Sequence, residues 1–413
     1  MKWSSLFLSG IVIAAVSACI AQENPSVNVS SEAIDARIKA HRMGDLVIKA
    51  GPGAKVTVQQ TRHEFLFGTA IPNALAEQAE DAMSPEDRAK YLEILEQNFN
   101  YAVHENALKW YDCEKEPGVV DYTVADRIWE LCAERNIPMR GHCVFWAKDE
   151  FNLQWLKDLD SDALRGAVTR RGLDVVEHFK GRINEFDLNN EMVHGDFFRR
   201  RLGTGVVNEM AWIVKAANPD ARLYVNDYAI LDFGYNRGAF MNQVETFLKQ
   251  GVPIDGIGCQ AHKSMHTDLT VSAERTQRTL DRLTERFGLP IKITEALFAY
   301  EDEQVQVDEL NKLFPVYFAH PNVEAVIIWG FWEKPHWQPH CAMWRTDWTP
   351  RPQAKAYRKL VFDKWWTEES GKTDKEGVFE TRAFYGDYDI TVDGVTQQVT
   401  LSRKDRSTEV VFD

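Results

Sequence analysis

The chain has 413 residues, 44% apolar and 27% charged, the balance of a folded chain with room for one large domain and a small one. Its net charge of −14 sets it against nucleic acid and anionic membrane, whose phosphates it would repel. A neutral partner is compatible, and thirteen tryptophans supply flat apolar faces with a donor at the edge, suited to sugar rings, although any one of them is equally well explained as core.

Residues 1–21 read as an export signal. Lys2 carries the positive charge, residues 6–16 are an apolar run too short to span a bilayer, and small residues follow. Val16-Ser17-Ala18-Cys19 resembles a bacterial lipobox, which would make Cys19 the lipidated first residue and the sole tie to a membrane. Cleavage after Ala21 is the alternative, so the expected destinations are a cell-envelope lipoprotein or a secreted protein. The remaining cysteines, Cys113, Cys132, Cys143, Cys259 and Cys341, are odd in number and lie in apolar patterns, so buried thiols are expected rather than a disulfide framework. No Cys/His cluster has zinc spacing, and no metal or cofactor is implied.

Residues 22–64 form an N-terminal segment that is polar, then helical, then a strand pair, 46–48 and 56–58, around Gly51-Pro52-Gly53. From 65 to 366 strands and helices alternate. Strands are expected at 65–69, 101–103, 138–145, 183–188, 222–226, 257–259, 291–294 and 325–328. Helices are expected between them, the first opened by Ser84 as cap with Pro85 behind it, and the last spanning 352–366. Eight such alternations predict an α/β fold, a closed (β/α)₈ TIM barrel. Polar residues cluster after the strands and not before them, as they do where a barrel presents its site. Residues 367–371 read as a linker. Residues 371–413 then read as a small C-terminal β appendage whose edges need cover, which the strand pair can supply. Phe384, Tyr385 and Tyr388 offer a carbohydrate-binding platform as the rival role for this appendage, a structural lid being favoured.

Two strand ends carry carboxyls, Glu191 after Asp187-Leu188-Asn189-Asn190 and Glu295 after Ile293-Thr294. Glycoside hydrolysis needs two such groups, one to protonate the leaving oxygen and one to attack the anomeric carbon, about 5–5.5 Å apart in a retaining enzyme. Asn190 is placed to bond a sugar 2-hydroxyl, His262 to hydrogen-bond Glu295 and keep it ionised, and Gln260 shares their face by alternation. Singly, each is unremarked: a Glu after a strand is usually solvated, a His usually structural, and Asn-Asn-Glu can cap a helix. Seven consecutive strand ends bearing polar or aromatic groups suited to a sugar outweigh those readings.

Over about residues 65–362 the chain resembles glycoside hydrolase family 10, the endo-β-1,4-xylanases. The resemblance is carried by Glu105-Asn106-Ala107-Leu108-Lys109-Trp110, Gly141-His142-Cys143-Val144-Phe145-Trp146, Asp187-Leu188-Asn189-Asn190-Glu191, Asn226-Asp227-Tyr228, Gly256-Ile257-Gly258-Cys259-Gln260-Ala261-His262, Ile293-Thr294-Glu295 and Trp329-Gly330-Phe331-Trp332. The flanking β segments look like those of its plant-type branch. The resemblance implies Glu191 as acid/base and Glu295 as nucleophile. Glu105, Asn106, Lys109, His142, Trp146, Gln260, His262, Trp329 and Trp337 would line the sugar subsites, joined by Asn190 and Asn226. The implied protein is a metal-independent, monomeric, retaining endo-xylanase acting on xylan or xylo-oligosaccharide. Two positions depart from the pattern. Ala147 stands where many members have His, and Leu297 stands where the family has an Asp that orients the histidine beside the nucleophile, so an altered pH optimum is expected. The rivals are a related barrel glycosidase acting on β-glucan, cellulose or mannan, and a catalytically poor glycan-binding protein.

Overall fold

The computed structural model describes residues 27–231, 234–263 and 271–412. The export signal and Cys19 lie outside the described residues. Eight parallel strands make the barrel: β1 (Leu66–Ile71), β2 (Tyr101–His104), β3 (Met139–Arg140), β4 (Glu185–Asp187), β5 (Arg222–Asp227), β6 (Gly256–Lys263), β7 (Ile291–Phe298) and β8 (Val323–Ile328). Their hydrogen-bonded order is β3-β2-β1-β8-β7-β6-β5-β4, so every strand lies beside its neighbours in sequence. The circle closes where Gly141, just past β3, bridges to Phe186 of β4: its N–H donates to the Glu185 carbonyl at 2.8 Å, and Asp187 N–H donates to the Gly141 carbonyl at 3.0 Å. A Cβ at Gly141 would stand 2.3 Å from the Phe186 ring, so closure requires glycine there.

Local chemistry sets the helices. Ser84 caps Pro85–Asn98 by accepting from Asp87 N–H at 3.1 Å. Ser272 caps Ala273–Phe287 in the same way, and Gly288 ends that helix in the left-handed region at φ 64°. All of β7 is buried, the pattern of a strand covered on both faces. The third strand is shorter than its apolar run: past the Gly141 bridge the regular ladder breaks at residues 142–144, and Phe145–Trp146 then pairs with Asn189–Asn190, beyond β4. The last helix holds α geometry over Pro352–Arg358 and then widens into a π turn at Lys359–Lys364. All five described cysteines are buried, and none forms a disulfide among the described residues. No helix among the described residues is long and apolar enough to cross a membrane.

The two ends of the chain differ from the sequence reading. Met43–Lys49 and Lys55–His63 do not pair with each other. Met43–Lys49 lies between Val378–Phe384 (antiparallel) and Ser407–Val411 (parallel). Lys55–His63 lies between Glu368–Lys372 and Gly386–Val392, with Val395–Leu401 outermost. The stretch read as a linker is therefore an edge strand. Alternate residues of each sheet point inward, and Leu46, Ile48, Val56, Val58, Ile390 and Val410 share one core between the sheets. Phe384, Tyr385 and Tyr388 are 7%, 6% and 1% exposed, and Tyr388 Oη bonds Thr367 Oγ1 at 3.3 Å. They are core, not a binding platform. The sandwich caps the end of the barrel where the strands begin: Arg42 donates to the carbonyls of Phe318 (2.6 Å), His320 (2.7 Å) and Val323 (2.6 Å), just before and at the start of β8.

Candidate active site

At the opposite end, where the strands finish, a cleft encloses about 370 Å³. Glu105, Asn106 and Lys109 reach it from the turn after β2, His142 and Trp146 from the bend after β3, and Asn190 and Glu191 from the turn after β4. Gln260 and His262 come from the last residues of β6, Glu295 from β7, and Trp329 and Trp337 from the loop after β8. A register shift between Cys259 and Gln260 sets Gln260 opposite Glu295 and His262 opposite Leu297.

Glu191 has φ of 61°, in the left-handed region that non-glycine residues avoid. Its carboxylate accepts from Trp146 Nε1 at 3.0 Å and Gln260 Nε2 at 3.0 Å. Burial raises its pKa, those two hydrogen bonds oppose the rise, and the charge of Glu295 adds to it. Glu295 accepts from Asn226 Nδ2 at 3.0 Å and bonds His262 Nε2 at 2.9 Å. Burial pushes this carboxyl up, but the His262 hydrogen bond, with His142 and Lys109 nearby, outweighs it and holds the group at about 2. The two carboxyls are thus pushed in opposite directions, Glu191 up and Glu295 down.

An amide brace joins them. Asn190 Oδ1 accepts from Asn226 Nδ2 at 3.0 Å and Gln260 Nε2 at 3.4 Å, which fixes that atom as oxygen and leaves Asn190 Nδ2 without a partner among the described residues. Asn226 itself is 0% exposed and does not reach the cleft: it donates to Asn190 and Glu295 and accepts from Thr294 Oγ1 at 2.6 Å, so all its capacity is spent on protein. Its place is beneath the site, not on a sugar. His262 Nδ1 is also buried without a partner, facing the strand position held by Leu297.

Further along, Lys109 Nζ donates to Asn106 Oδ1 at 3.0 Å and lies 4.4 Å over the Trp146 ring. His142 Nδ1 pairs with Asp187 Oδ2 at 2.8 Å. Burial lifts the Glu105 carboxyl to about 7 against the pull of Lys109, with Asp81 and Glu295 adding to the rise. Trp329 is buried beside His142, while Trp337 is 46% exposed with its ring 5.8 Å from His262. Four lining residues escaped the sequence reading: Tyr111, Lys148, Phe151 and Tyr228. Tyr111 Oη donates to Asn106 at 3.0 Å, and Phe151 stacks on Trp146 at 3.6 Å. Tyr228 sat inside a quoted motif at a strand end, and that position was its signal. Lys148 and Phe151 lie in an aperiodic loop that gives none. Among the described residues no group of three or more His, Cys, Asp or Glu is placed to hold a metal ion.

A closed barrel with two carboxyls on separate strand ends, set among amides and aromatic rings, has the architecture of a carbohydrate site. The chain belongs to glycosyl hydrolase family 10, whose model matches residues 58–364. It is 36% identical to the anti-sigma-I factor RsgI6 of Acetivibrio thermocellus over 82% of this chain and 42% of that protein. It is 32% identical to endo-1,4-beta-xylanase 1 of Arabidopsis thaliana over 82% of this chain and 34% of that one. The chain therefore spans less than half the length of either relative. Among solved structures it is similar to xylanase 10B of Thermotoga maritima, with TM-score 0.64 and 25% identity over 73% of this chain and 96% of that one.

Proposed function

We propose that the protein is an exported, monomeric, retaining endo-β-1,4-xylanase. The observation that carries the reading is the split between the two carboxyls, Glu191 raised and Glu295 held at about 2. Glu191, protonated, gives its proton to the glycosidic oxygen as ionised Glu295 attacks the anomeric carbon. The bond to the leaving sugar breaks and a glycosyl ester forms on Glu295. Glu191, now a carboxylate, takes a proton from water, whose oxygen attacks the same carbon and frees Glu295, so that two inversions retain configuration. Asn190 Nδ2, a buried donor without a partner among the described residues, is available to a sugar hydroxyl. Xylan as the backbone draws on the names of the Arabidopsis and Thermotoga relatives. Export draws on residues 1–21, with lipidation of Cys19 as one form of it.

A second reading, capture of oligosaccharide without turnover, draws on His262, whose Nδ1 has no partner among the described residues and whose strand position is opposite Leu297, beside the attacking carboxylate. Reducing-sugar release from xylan, β-glucan and mannan, with Glu295→Ala as blank, tests both. Release from xylan alone, absent in the variant, supports the xylanase. Release from another polysaccharide overturns the substrate, and no release from any favours capture.

A further inference from the structure

Two outer helices beside the Tyr228 wall of the cleft carry a cluster of arginines. Gly234–Lys249 follows β5 and Ala273–Phe287 follows β6, so both begin at the cleft end of the barrel. Arg237 lies in the first turn of one. On the other, Arg275, Arg278 and Arg282 recur at spacings of three and four and share a face. That face meets Arg237, whose Nη1 donates to Thr279 Oγ1 at 3.2 Å. The Arg237 guanidinium is held below its ordinary pKa, first by partial burial and then by Arg282, Arg275 and Arg278.

Among the described residues no carboxylate pairs with Arg237, Arg278 or Arg282. Lower on the same seam the pattern reverses: Arg286 pairs with Glu245, which also takes Lys249 at 2.8 Å. Asp281, on the same helix, is turned to Gln277 at 2.8 Å and His320 at 3.3 Å. Cations near a helix start oppose the positive end of its dipole, so Arg237 and Arg275 stand against local preference as well as against one another. The patch adjoins the cleft through a short relay of side chains. Asn236 Nδ2 lies 3.1 Å from His194 Nε2, His194 stacks on Tyr228 at 3.6 Å, and Tyr228 lines the cleft wall on the Glu191 side.

We propose that this arginine face binds the carboxylates of a uronate-substituted xylan where the chain leaves the cleft past Tyr228. Guanidinium forks match carboxylates bidentately, and a branch uronate is the charge that such a backbone can bring. The inference rests on the xylanase reading for its backbone sugar and on the arginines for the acidic branch.

Binding and turnover are measured separately. Full-length Glu295→Gln, with and without the triple exchange Arg237→Gln/Arg278→Gln/Arg282→Gln, is run by affinity electrophoresis through glucuronate-bearing xylan, neutral arabinoxylan and polygalacturonate. The triple exchange is expected to weaken retention by the acidic xylan about tenfold relative to the neutral one, with the difference shrinking as salt rises. In the otherwise unaltered chain the ratio of kcat/KM on acidic to neutral xylan falls likewise. Equal retention by acidic and neutral xylan before the exchange, or a ratio the exchange leaves unmoved, overturns the inference. If no polysaccharide is hydrolysed, the xylanase reading fails by itself, and retention by polygalacturonate that the exchange abolishes still supports the acidic-glycan face. Should the triple variant melt early, Arg278→Gln alone and its Arg278→Lys control repeat the comparison, with the lysine expected to restore part of the retention.

Discussion

Glu185 and Glu191 are six residues apart on one stretch of chain, both buried, and the barrel treats them in opposite ways. At the floor, Glu185 meets Lys292 at 2.8 Å, Arg140 at 3.2 Å and Tyr101 Oη at 3.1 Å, and Lys292 and Arg140 overcome burial to hold its carboxyl below the ordinary value. At the cleft, Glu191 has an indole and an amide for partners, and burial raises it. Full cations lock a charge and make it part of the scaffold. Neutral donors orient a carboxyl and leave its proton free to move. Glu295 lies between these cases: among the described residues no Lys or Arg forms an ion pair with it, yet an imidazole and an amide hold it ionised.

That contrast can be broken most severely at the cleft. Glu295→Ala removes the attacking oxygen and is expected to lower turnover on xylan by at least about a thousandfold, read as reducing-sugar release. Glu191→Gln keeps shape and hydrogen bonding but cannot give a proton, and a loss of about a hundred- to ten-thousandfold is expected. The pH profile of kcat/KM sharpens the point. Activity needs Glu295 ionised, so the acid limb falls only as pH drops toward about 2, and it needs Glu191 protonated, so the alkaline limb lies above the ordinary carboxylate range. Glu191→Gln should erase the alkaline limb, and its survival would assign that limb elsewhere.

At the floor the expected damage is to stability. Glu185→Ala leaves Lys292 buried without its carboxylate and Arg140 with Asp187 alone, at a cost of about 3–5 kcal/mol in chemical denaturation. Because the folded-state carboxyl is lowered, its contribution is present above the ordinary carboxylate range and is lost as pH falls through the folded value, so the variant and the native protein should converge in acid. The smallest effect belongs to Leu297→Asp, which offers His262 Nδ1 an acceptor. Its pH profile should part from the native one on the acid limb, where the new charge acts on Glu295 through His262. Superimposed profiles would show that Leu297 is electrostatically silent.

The barrel was legible because each strand is a local apolar run and each helix carries its own stop and start signals. The cleft was legible because seven of the eight strands end in polar or aromatic groups that meet there, from Glu105 to Trp337. Asn226 was misjudged because a strand-end amide looks the same whether it faces a sugar or braces a carboxylate, and 0% exposure alone separates the two. The sandwich was legible in part: the strand pair at 46–48 and 56–58 was expected to cover the appendage, and it does so, but with its two strands in separate sheets. Met43–Lys49 finds its partners at Val378–Phe384 and Ser407–Val411, and nothing local announces a pairing across the whole barrel. Glu368–Lys372 read as a linker because an edge strand with mostly exposed residues has no alternation to detect. The aromatic run at Phe384, Tyr385 and Tyr388 looked like a platform because buried and stacking aromatics are the same residues.

The central place of Met43–Lys49 in its sheet has a consequence for the order of synthesis. About 330 residues separate Lys49 from Val378, its neighbour in the ladder, so the strand is made early and waits with both hydrogen-bonding edges open until its partners at Val378–Phe384 and Ser407–Val411 have been made. An open central strand is a template for pairing with other chains. A message cut short between the barrel and Ser407–Val411 therefore yields a barrel with an unfinished, adhesive clasp, sealed only when that strand arrives.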